Sequence, residues 1–368
     1  MRKLRIAIVG GGLAGLYAAH LLEQQGIHDY VILEARSVWG GRIASTSSIS
    51  GISPLDRFDL GPTWFWPAYQ RQLDDLIDRL GLERFEQHED GDMVVERTPN
   101  AAPMRARGYA SAPPSMRLVG GMGALTDALR LGLTPANLMS SHRVLHMRSD
   151  GLHVELDAED AQGRAITYRV QHALLAVPPR LAVALIGFTP VLPEAVMRAW
   201  QGTATWMAPH AKYVALYDTP FWREYGLSGE AHSARGPLGE IHDASMPGGG
   251  SALFGFFGVP ARVRCGVSEE VLRTHCRAQF VRLFGERAAA PQADFIKDWA
   301  ADPWTATSAD QDGPAHHGSA PAASVAEGLW MGRITGIASE WSPQFPGYVA
   351  GAIEAAALGV PPLLEQQL

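Results

Sequence analysis

The chain has 368 residues, of which 46% are hydrophobic and 19% are charged, and its formal net charge is −7 at pH 7. This length and composition fit a globular protein with a substantial core, built as one large domain or as two interleaved ones. The negative charge and the lack of a basic run argue against nucleic acid or an anionic membrane as the main partner.

Cysteine content and hydropathy bear on the compartment. The two cysteines, Cys265 and Cys276, do not suggest a disulfide framework and are compatible with a reducing environment. No run of 18 apolar residues predicts a transmembrane helix, and glycines interrupt the apolar stretch that superficially resembles a signal peptide. We therefore expect a cytoplasmic protein.

The first 42 residues contain the most informative pattern. Residues 4–9 predict a short buried strand, which runs directly into Gly-Gly-Gly-Leu-Ala-Gly at residues 10–15. A helix is predicted over residues 16–25, and a second strand, at residues 30–33, ends at Glu34. This order of strand, glycine turn, helix, strand and acid indicates a dinucleotide site rather than a tight turn without a ligand.

Each part of this pattern has a physical role. Gly10 permits the tight turn, Gly12 lets a pyrophosphate approach the backbone, and Gly15 lets helix and strand pack closely. The N-terminus of the helix offers unpaired N–H groups and a positive dipole to phosphates, and Glu34 can accept hydrogen bonds from a ribose. We expect cofactor contacts from Gly10, Gly12, Leu13, Ala14, Gly15 and Glu34.

A second glycine pair follows directly after the ribose acid. Residues 34–42 read Glu-Ala-Arg-Ser-Val-Trp-Gly-Gly-Arg, which on its own is also compatible with an ordinary surface turn. The segment resembles the signature of the flavin-dependent amine oxidase superfamily, in which the Gly-Gly-Arg turn contacts the FAD pyrophosphate. The resemblance adds to the expected cofactor contacts Ala35, Arg36, Gly40, Gly41 and Arg42.

The remaining predicted elements follow in chain order. An aromatic-rich turn at residues 59–66 precedes a helix at 70–80, and residues 98–115, rich in Pro, Ala and Arg, predict a loop crossing between domains. Further along we predict a helix at 124–131, a hairpin with strands at 143–147 and 152–156, a buried strand at 172–179, an alternating strand at 210–217, a strand at 252–259, a helix between Ser268 and Gly285, and a final helix at 347–358.

Several of these segments match the same superfamily in the same order. The matches at residues 118–125, 174–179 and 328–357, together with the N-terminal signature, cover nearly the whole chain. The resemblance implies an α/β fold in which a Rossmann-like FAD-binding domain is interleaved with a smaller mixed α+β substrate domain. We expect the FAD-binding domain at residues 1–62, 115–180 and 305–368, and the substrate domain at residues 63–114 and 181–304.

The resemblance also implies residues for the chemistry. Lys212 lies in the alternating strand, and this strand resembles the one whose lysine holds a water against flavin N5; the alternative is a surface lysine. Tyr348 matches one of two aromatic residues that flank the substrate, and Glu340 matches the glutamate that hydrogen-bonds the ribityl chain. The implied cofactor contacts are Gly61, Pro62, Thr63, Trp64, Val144, Glu340, Gly347, Tyr348 and Val349.

At two positions the chain departs from the superfamily. The second flanking aromatic position falls on Ala309, and the cysteine position of covalent members falls on Ser308, which implies non-covalent FAD. Trp304 can supply a wall from nearby, while Trp64 and Trp66 either line the pocket or only cement the domain junction. The expected pocket is therefore Trp64, Trp66, Trp304 and Tyr348. We expect His316 and His317 to lie in a solvated loop, and we expect no metal site.

The implied function is FAD-dependent oxidation of a primary or secondary amine. Hydride transfer from the substrate Cα–H to flavin N5 gives an imine that water hydrolyses, and molecular oxygen or another acceptor reoxidises the flavin, oxygen giving hydrogen peroxide. Two alternatives remain: an FAD-dependent oxidase or desaturase of a non-amine substrate, including renalase-like oxidation of reduced nicotinamides, and a flavoprotein without turnover. Because Ala309 leaves one wall short, we expect a small-molecule amine with a bulky apolar group.

Overall fold

A computed structural model describes residues 1–46, 56–311 and 318–365. The chain divides into two compact units, each assembled from separate stretches of sequence. The first unit comprises Met1–Ile43, Leu125–Met207 and Pro303–Leu368, and the second comprises Ala44–Ala124 and Ala208–Asp302. The architecture is the expected α/β fold with a Rossmann-like nucleotide-binding domain.

A parallel sheet forms the centre of the first unit. Its strands, in order across the sheet, are Ile334–Gly336, His172–Leu175, Ile6–Val9, Tyr30–Leu33 and Leu138–Met139. The strands Ile6–Val9 and Tyr30–Leu33 are buried along their whole length. Parallel sheets are covered on both faces, and this explains why these strands are continuous apolar runs rather than alternating ones.

A second sheet of the first unit contains the predicted hairpin, with longer strands than the sequence indicated. Its strands, in order, are Arg2–Lys3, Ala165–Val170, Val154–Glu159, Arg143–Ser149 and Gly187–Thr189. Tryptophans pack beneath this part of the unit: Trp200 and Trp341 meet edge to face with their centroids 5.3 Å apart, and Trp330 is also buried.

The helices of the first unit differ from the prediction mainly at their ends. The first begins at Leu13 rather than at residue 16, because Gly12 is extended and acts as its N-cap. The predicted final helix begins at Val349 rather than at residue 347, because Gly347 has φ +83° and cannot be helical, and an unpredicted short helix, Pro361–Glu365, follows it. The helical bounds are Leu13–Gln24, Gly123–Leu131 at the passage between the units, Pro179–Leu185, Glu194–Gly202, Val349–Gly359 and Pro361–Glu365.

The second unit is organised around a mostly antiparallel sheet. Its strands, in order, are Ala293–Asp298, Ala211–Tyr217, Ser251–Phe257, Leu238–Asp243, Leu227–Ser233, Asp92–Glu96 and Met104–Arg107. Among the described strand pairings of this sheet, only that between Leu227–Ser233 and Asp92–Glu96 is parallel. The strand Ala211–Tyr217 is buried throughout and pairs with a neighbour on each side, which places Lys212 in the interior of the sheet.

Helices and a small two-stranded sheet complete the second unit. Ser268 caps its longest described helix as predicted, since its side chain accepts a hydrogen bond from the Val271 N–H. The helices are Arg71–Arg79, Phe221–Glu224, Ala261–Arg264 and Glu269–Phe284, and Arg84–Glu86 pairs antiparallel with Met116–Leu118 in a two-stranded sheet.

The segment predicted as a loop at residues 98–115 contains a strand. Residues Met104–Arg107 pair antiparallel with Asp92–Glu96 at the edge of the large sheet. The strand was missed because its sequence, Met-Arg-Ala-Arg, is short, charged and mostly exposed. Charged edge strands of this kind resist pairing with other chains.

The boundaries of the units differ from the predicted domain boundaries for reasons of packing. Phe58 packs with Val214 and Phe254 in the core of the second unit. The chain therefore passes from the first unit to the second after Ile43 rather than after residue 62. Likewise, the strand Met116–Leu118 pairs within the second unit, although it was assigned to the FAD-binding domain. Residues up to Met207 belong to the first unit, because Gly187–Thr189 extends its sheet and Trp200 enters its core.

No helix in the described ranges is both long enough and apolar enough to cross a membrane.

The packing of the first helix makes a stability prediction. A Cβ at Gly15 would lie 2.0 Å from the Gly10 carbonyl oxygen, whereas a Cβ at Gly202 meets nothing within 4 Å. We expect Gly15→Ala to lower the free energy of unfolding by about 1–3 kcal/mol, as overpacking does. Gly202→Ala is the matched control and should change it by less than about 0.5 kcal/mol. Urea unfolding followed by circular dichroism measures both, and equal midpoints would contradict the packing argument.

Candidate functional site

The glycine turn of the first unit requires glycine for steric reasons. Gly10 has φ +109°, and a Cβ there would lie 2.7 Å from the Ala176 carbonyl oxygen. The helix that follows begins at Leu13, with no side-chain cap at Gly12 and no acidic residue in its first turn. Its N-terminal N–H groups, including those of Leu13, Ala14 and Gly15, therefore form a ready site for an anion.

The second glycine turn lies directly against the first. Gly12 and Gly40 form a parallel bridge, and the Gly40 N–H donates to the Gly11 carbonyl at 3.0 Å. Gly40 and Gly41 both have positive φ, and a Cβ at Gly41 would lie 3.1 Å from the Gly12 Cα. Because these glycines carry no side chains, the two turns leave a backbone cradle that a Cβ atom would fill. This cradle fits the pyrophosphate of a dinucleotide.

Glu34 has a role that the sequence analysis did not predict. One carboxylate oxygen accepts from the Gly11 N–H at 2.7 Å and the other from the Arg36 N–H at 2.8 Å, and the side chain is buried. Glu34 therefore anchors the glycine turn, and its remaining lone pairs can still accept from a ribose. Arg36 also donates to the Thr305 hydroxyl at 3.2 Å, while Ala35 is half-buried.

Arg42 and Glu340, predicted separately as cofactor residues, bind each other. Their two hydrogen bonds measure 2.5 and 3.0 Å, and Arg42 also donates to the Ser339 hydroxyl at 3.1 Å. The bidentate geometry fixes both side chains, with Glu340 almost fully buried. The pair thereby joins the N-terminal and C-terminal cofactor motifs of the first unit.

The C-terminal motif presents a second uncapped helix. Gly347 is left-handed, Tyr348 is the N-cap of Val349–Gly359, and the first turn contains no acid. The Tyr348 ring, 38% exposed, lies nearly parallel to the ring of Trp206, with centroids 6.2 Å apart and planes 15° apart. Trp206 lies between a helix and a strand, where no periodic pattern marks it, and the sequence analysis missed it.

The other predicted residues of the first unit lie in different surroundings. Val144 is buried in the core, and its contact with a cofactor stays a prediction. Trp304 is half-buried, with the Arg143 guanidinium 5.2 Å from its ring centroid. Ser308 and Ala309 are exposed in a short 3₁₀ turn.

In the second unit, the structure brings Lys212 together with the predicted turn at residues 59–66. Lys212 is fully buried, and its ammonium donates to the Thr63 hydroxyl at 2.5 Å and to the Gly61 carbonyl at 3.2 Å. The same nitrogen lies 3.9 Å from the centroid of the Phe254 ring and 5.5 Å from that of Phe256. The alternative of a surface lysine is therefore wrong.

Burial and neighbouring charges set the protonation of Lys212. Burial lowers the pKa of Lys212 to about 7; the negative charge of Asp59 opposes this shift and the positive charge of Arg117 adds to it. Burial also raises the pKa of Asp59. One Asp59 oxygen accepts from the Met122 N–H at 2.8 Å, and the other has no hydrogen-bond partner among the described residues.

Trp64 is held in place beside the lysine site. Its indole N–H donates to the Gln87 side chain at 2.8 Å, and the Gln87 amide donates to the Asp243 carbonyl at 2.8 Å. The Trp64 ring meets His242 edge to face at 4.8 Å and Phe254 at 5.4 Å. Trp64 therefore shares an aromatic cluster with the ring that covers Lys212.

Two further predicted residues belong to the same turn. Pro62 and Trp66 are half-buried, and the Trp66 N–H donates to the Gln70 side chain at 3.1 Å. Within residues 1–46, 56–311 and 318–365, no group of three or more His, Cys, Asp or Glu side chains is arranged to hold a metal ion. His316 and His317 lie outside the described residues.

One family model covers stretches of both units. Residues 104–358 match the family model described as flavin containing amine oxidoreductase, and residues 8–80 match that of an NAD(P)-binding Rossmann-like domain. The chain is 27% identical over 267 residues to an L-amino acid dehydrogenase of Synechocystis sp., covering 68% of this chain and 52% of that protein. It is 29% identical over 205 residues to putrescine oxidase of Kocuria rosea, covering 51% and 41%.

The alignments thus span about half of these curated relatives, or less. A solved structure of wild-type putrescine oxidase bound to putrescine is similar across 99% of both chains, with a TM-score of 0.80 and 19% identity. At this identity, the structural likeness shows the fold alone.

The anchoring role of Glu34 makes a binding prediction. Glu34→Ala removes the acceptor for two backbone N–H groups of the cradle, and charge-assisted hydrogen bonds contribute about 1.5–3 kcal/mol each. We expect FAD affinity to fall at least about tenfold, as measured by equilibrium dialysis and flavin absorbance. Glu23→Ala is the matched control, since Glu23 accepts from Tyr30 and from the Thr134 N–H in the same unit. Equal FAD affinity in the two variants would refute the role of Glu34.

Proposed function

Because the chain belongs to the flavin-containing amine oxidoreductase family, we propose that it oxidises a primary or secondary amine with non-covalent FAD. The observation that carries the proposal is Lys212, which is buried against the Gly61–Thr63 turn and an aromatic ring. A structural strand residue has no need of a desolvated ammonium, whereas perturbed groups of this kind are concentrated at functional sites.

The residues of the first unit are suited to hold the cofactor. FAD, when bound, supplies a hydride acceptor for the substrate Cα–H bond. The uncapped N-terminus at Leu13 and the cradle of Gly12 and Gly41 would bind its pyrophosphate. The Arg42–Glu340 pair would orient its middle portion, and the uncapped helix after Tyr348 would stabilise negative charge nearby.

Lys212 would act through its nitrogen. Above a pH of about 7 its Nζ is largely neutral and can accept a hydrogen bond from a water molecule, while its own N–H bonds remain on Thr63 and Gly61. The Phe254 and Phe256 rings exclude bulk water from this nitrogen. A water molecule held there is positioned for proton transfer or for hydrolysis of the imine product.

The substrate we propose is an amine with a bulky apolar group. In the second unit, the half-buried rings of Trp64 and Phe256 pack around the buried ring of Phe254 and leave apolar surface exposed. Apolar surface of this kind favours large hydrophobic groups over short aliphatic chains. The electron acceptor we propose is molecular oxygen, with another acceptor as the alternative.

An anaerobic amine panel tests the proposed function. The FAD-loaded protein is mixed with aromatic, cyclic and short aliphatic amines, and loss of oxidised flavin absorbance is recorded. We expect bulky apolar amines to bleach the flavin fastest, and readmitted oxygen to restore the absorbance with release of hydrogen peroxide. Bleaching by reduced nicotinamides but by no amine would replace the proposal with the non-amine alternative, and no bleaching at all would favour a flavoprotein without turnover.

Non-covalent attachment is a separate prediction. Ser308 occupies the position of the linking cysteine, and the two cysteines, exposed Cys265 and buried Cys276, both belong to the second unit. Acid precipitation should therefore release the flavin into the supernatant. Mass spectrometry of the denatured chain should give the unmodified mass of 39.7 kDa, and a mass increased by one flavin would contradict the prediction.

The protonation of Lys212 predicts a pH dependence. Because its pKa lies at about 7, the neutral fraction and the rate of flavin turnover should rise as the pH increases through 7. Lys212→Met should keep FAD, lose this dependence and slow the rate at pH 8 at least tenfold, or about 1.4 kcal/mol of barrier. Stopped-flow absorbance measures both half-reactions.

The matched control for this experiment is Lys297→Met. Lys297 pairs with Lys212 across the neighbouring strand, but it binds Asp302 at 2.6 Å and lies over the Trp299 ring. We expect it to keep the wild-type pH profile. Identical traces for Lys212→Met and the wild type would reduce Lys212 to a structural residue.

A further inference from the structure

We propose that Trp206 is a positioning and specificity-determining residue of the amine site, an inference that rests on the proposed function. Its ring lies nearly parallel to that of Tyr348, with centroids 6.2 Å apart and planes 15° apart. A centroid distance of 6.2 Å is within the range of offset-stacked aromatic pairs. Trp206 therefore restrains the ring plane of Tyr348, and together the two rings form one aromatic wall.

The wall borders the residues expected to hold the cofactor. Trp206 lines a small cavity of about 10 Å³ together with Glu340, Pro346 and Gly347, the residue that precedes Tyr348, all in the first unit. Glu340 is fixed in this position by its bidentate pair with Arg42. A group that contacts the Trp206 ring in this cavity is thus next to the C-terminal cofactor motif.

A buried carboxylate anchors the segment that carries Trp206. One oxygen of Asp310 accepts from the Thr205 N–H at 3.1 Å and from Arg180 at 2.5 Å. The other oxygen accepts from the Thr307 N–H at 2.8 Å and from its hydroxyl at 2.7 Å. Asp310 is only 3% exposed, so these hydrogen bonds hold the backbone next to Trp206 in one position.

The same carboxylate holds the segment of Trp206 against the turn that contains Ala309. The superfamily resemblance places the second flanking aromatic at Ala309, which is exposed and belongs to the 3₁₀ turn Ser308–Asp310. Asp310 hydrogen-bonds the backbone of Thr205, so the residue before Trp206 is in contact with that turn. Trp206 therefore adds aromatic surface beside Tyr348, from a distant part of the sequence, in a chain that has only a methyl group at position 309.

Two parallel aromatic faces favour a defined substrate chemistry. The face of each ring carries partial negative charge, which attracts an ammonium group, while its flat surface contacts an apolar substituent. The wall therefore selects amines whose nitrogen bears a flat or bulky apolar group. With only Tyr348 in place, half of this surface would be absent and the phenol ring would be less restrained.

The test compares Trp206→Ala and Trp206→Phe with the wild type in the FAD-loaded enzyme. The substrate is benzylamine, scored by kcat and KM, and the probe is benzyltrimethylammonium, which cannot be converted to a neutral imine, scored by Kd in calorimetry. We expect Trp206→Ala to raise KM and the probe Kd roughly fivefold or more, as loss of a cation–π face does. Trp206→Phe should restore most of both values, with FAD content unchanged.

Tyr225→Ala is the control, because it removes one ring of an edge-to-face aromatic pair with a similar centroid distance, 6.3 Å from Phe221 in the second unit. It should leave KM and the probe Kd at wild-type values. In the double variant with Tyr348→Ala, removal of Trp206 should add little, since the two rings act together.

Three results would overturn the proposal. The first is a fully FAD-loaded Trp206→Ala enzyme with wild-type KM and probe Kd. The second is an effect of Trp304→Ala on the probe without one of Trp206→Ala, and the third is a wild-type enzyme that does not bind the probe. Failure of the proposed function looks different: no amine reduces the wild-type flavin, whereas the probe Kd still decides the role of Trp206.

Discussion

The second unit depends on keeping one ammonium group away from water. Desolvating a lysine costs several kcal/mol, and the cost is tolerated only where hydrogen bonds and charges replace the lost solvent. Lys212 obtains these from the Thr63 hydroxyl, the Gly61 carbonyl, the face of Phe254 and the charge of Asp59. The hydrogen bonds of this nitrogen thus join the turn at residues 59–66 to the strand Ala211–Tyr217. Its burial lowers the pKa of Lys212 to about 7.

The first unit has the opposite electrostatic character. Its two uncapped helix N-termini and paired glycine turns form a backbone surface suited to an anion, and the nearby carboxylates are already bound. Glu34 accepts from two backbone N–H groups, and Glu340 is neutralised by Arg42. Because Glu34 is hydrogen-bonded to backbone N–H groups and Glu340 is paired with Arg42, both acids fix the shape of the cradle.

Local patterns made part of this architecture predictable. The glycine spacing before the first helix and the rare lysine in an alternating strand are short-range signals, and both elements were found where they were predicted. The Arg42–Glu340 pair joins residues 298 positions apart, and Trp206 lies in an irregular segment positioned by Asp310. Contacts of this kind leave no periodic trace in the sequence, so only the three-dimensional structure reveals them. The limits of the two compact units are likewise set by packing, since they depend on where Phe58 and Trp200 are buried.

The most direct test of the account is the titration of Lys212 itself. The chain has three lysines, Lys3, Lys212 and Lys297, so protein labelled with [ε-¹³C]lysine gives three NMR signals, and Lys212→Met identifies the one of interest. We expect this signal to titrate with a midpoint near pH 7, because burial and the charge of Arg117 lower the pKa of Lys212. A Lys212 signal that stays at its fully protonated position up to pH 9 would contradict it.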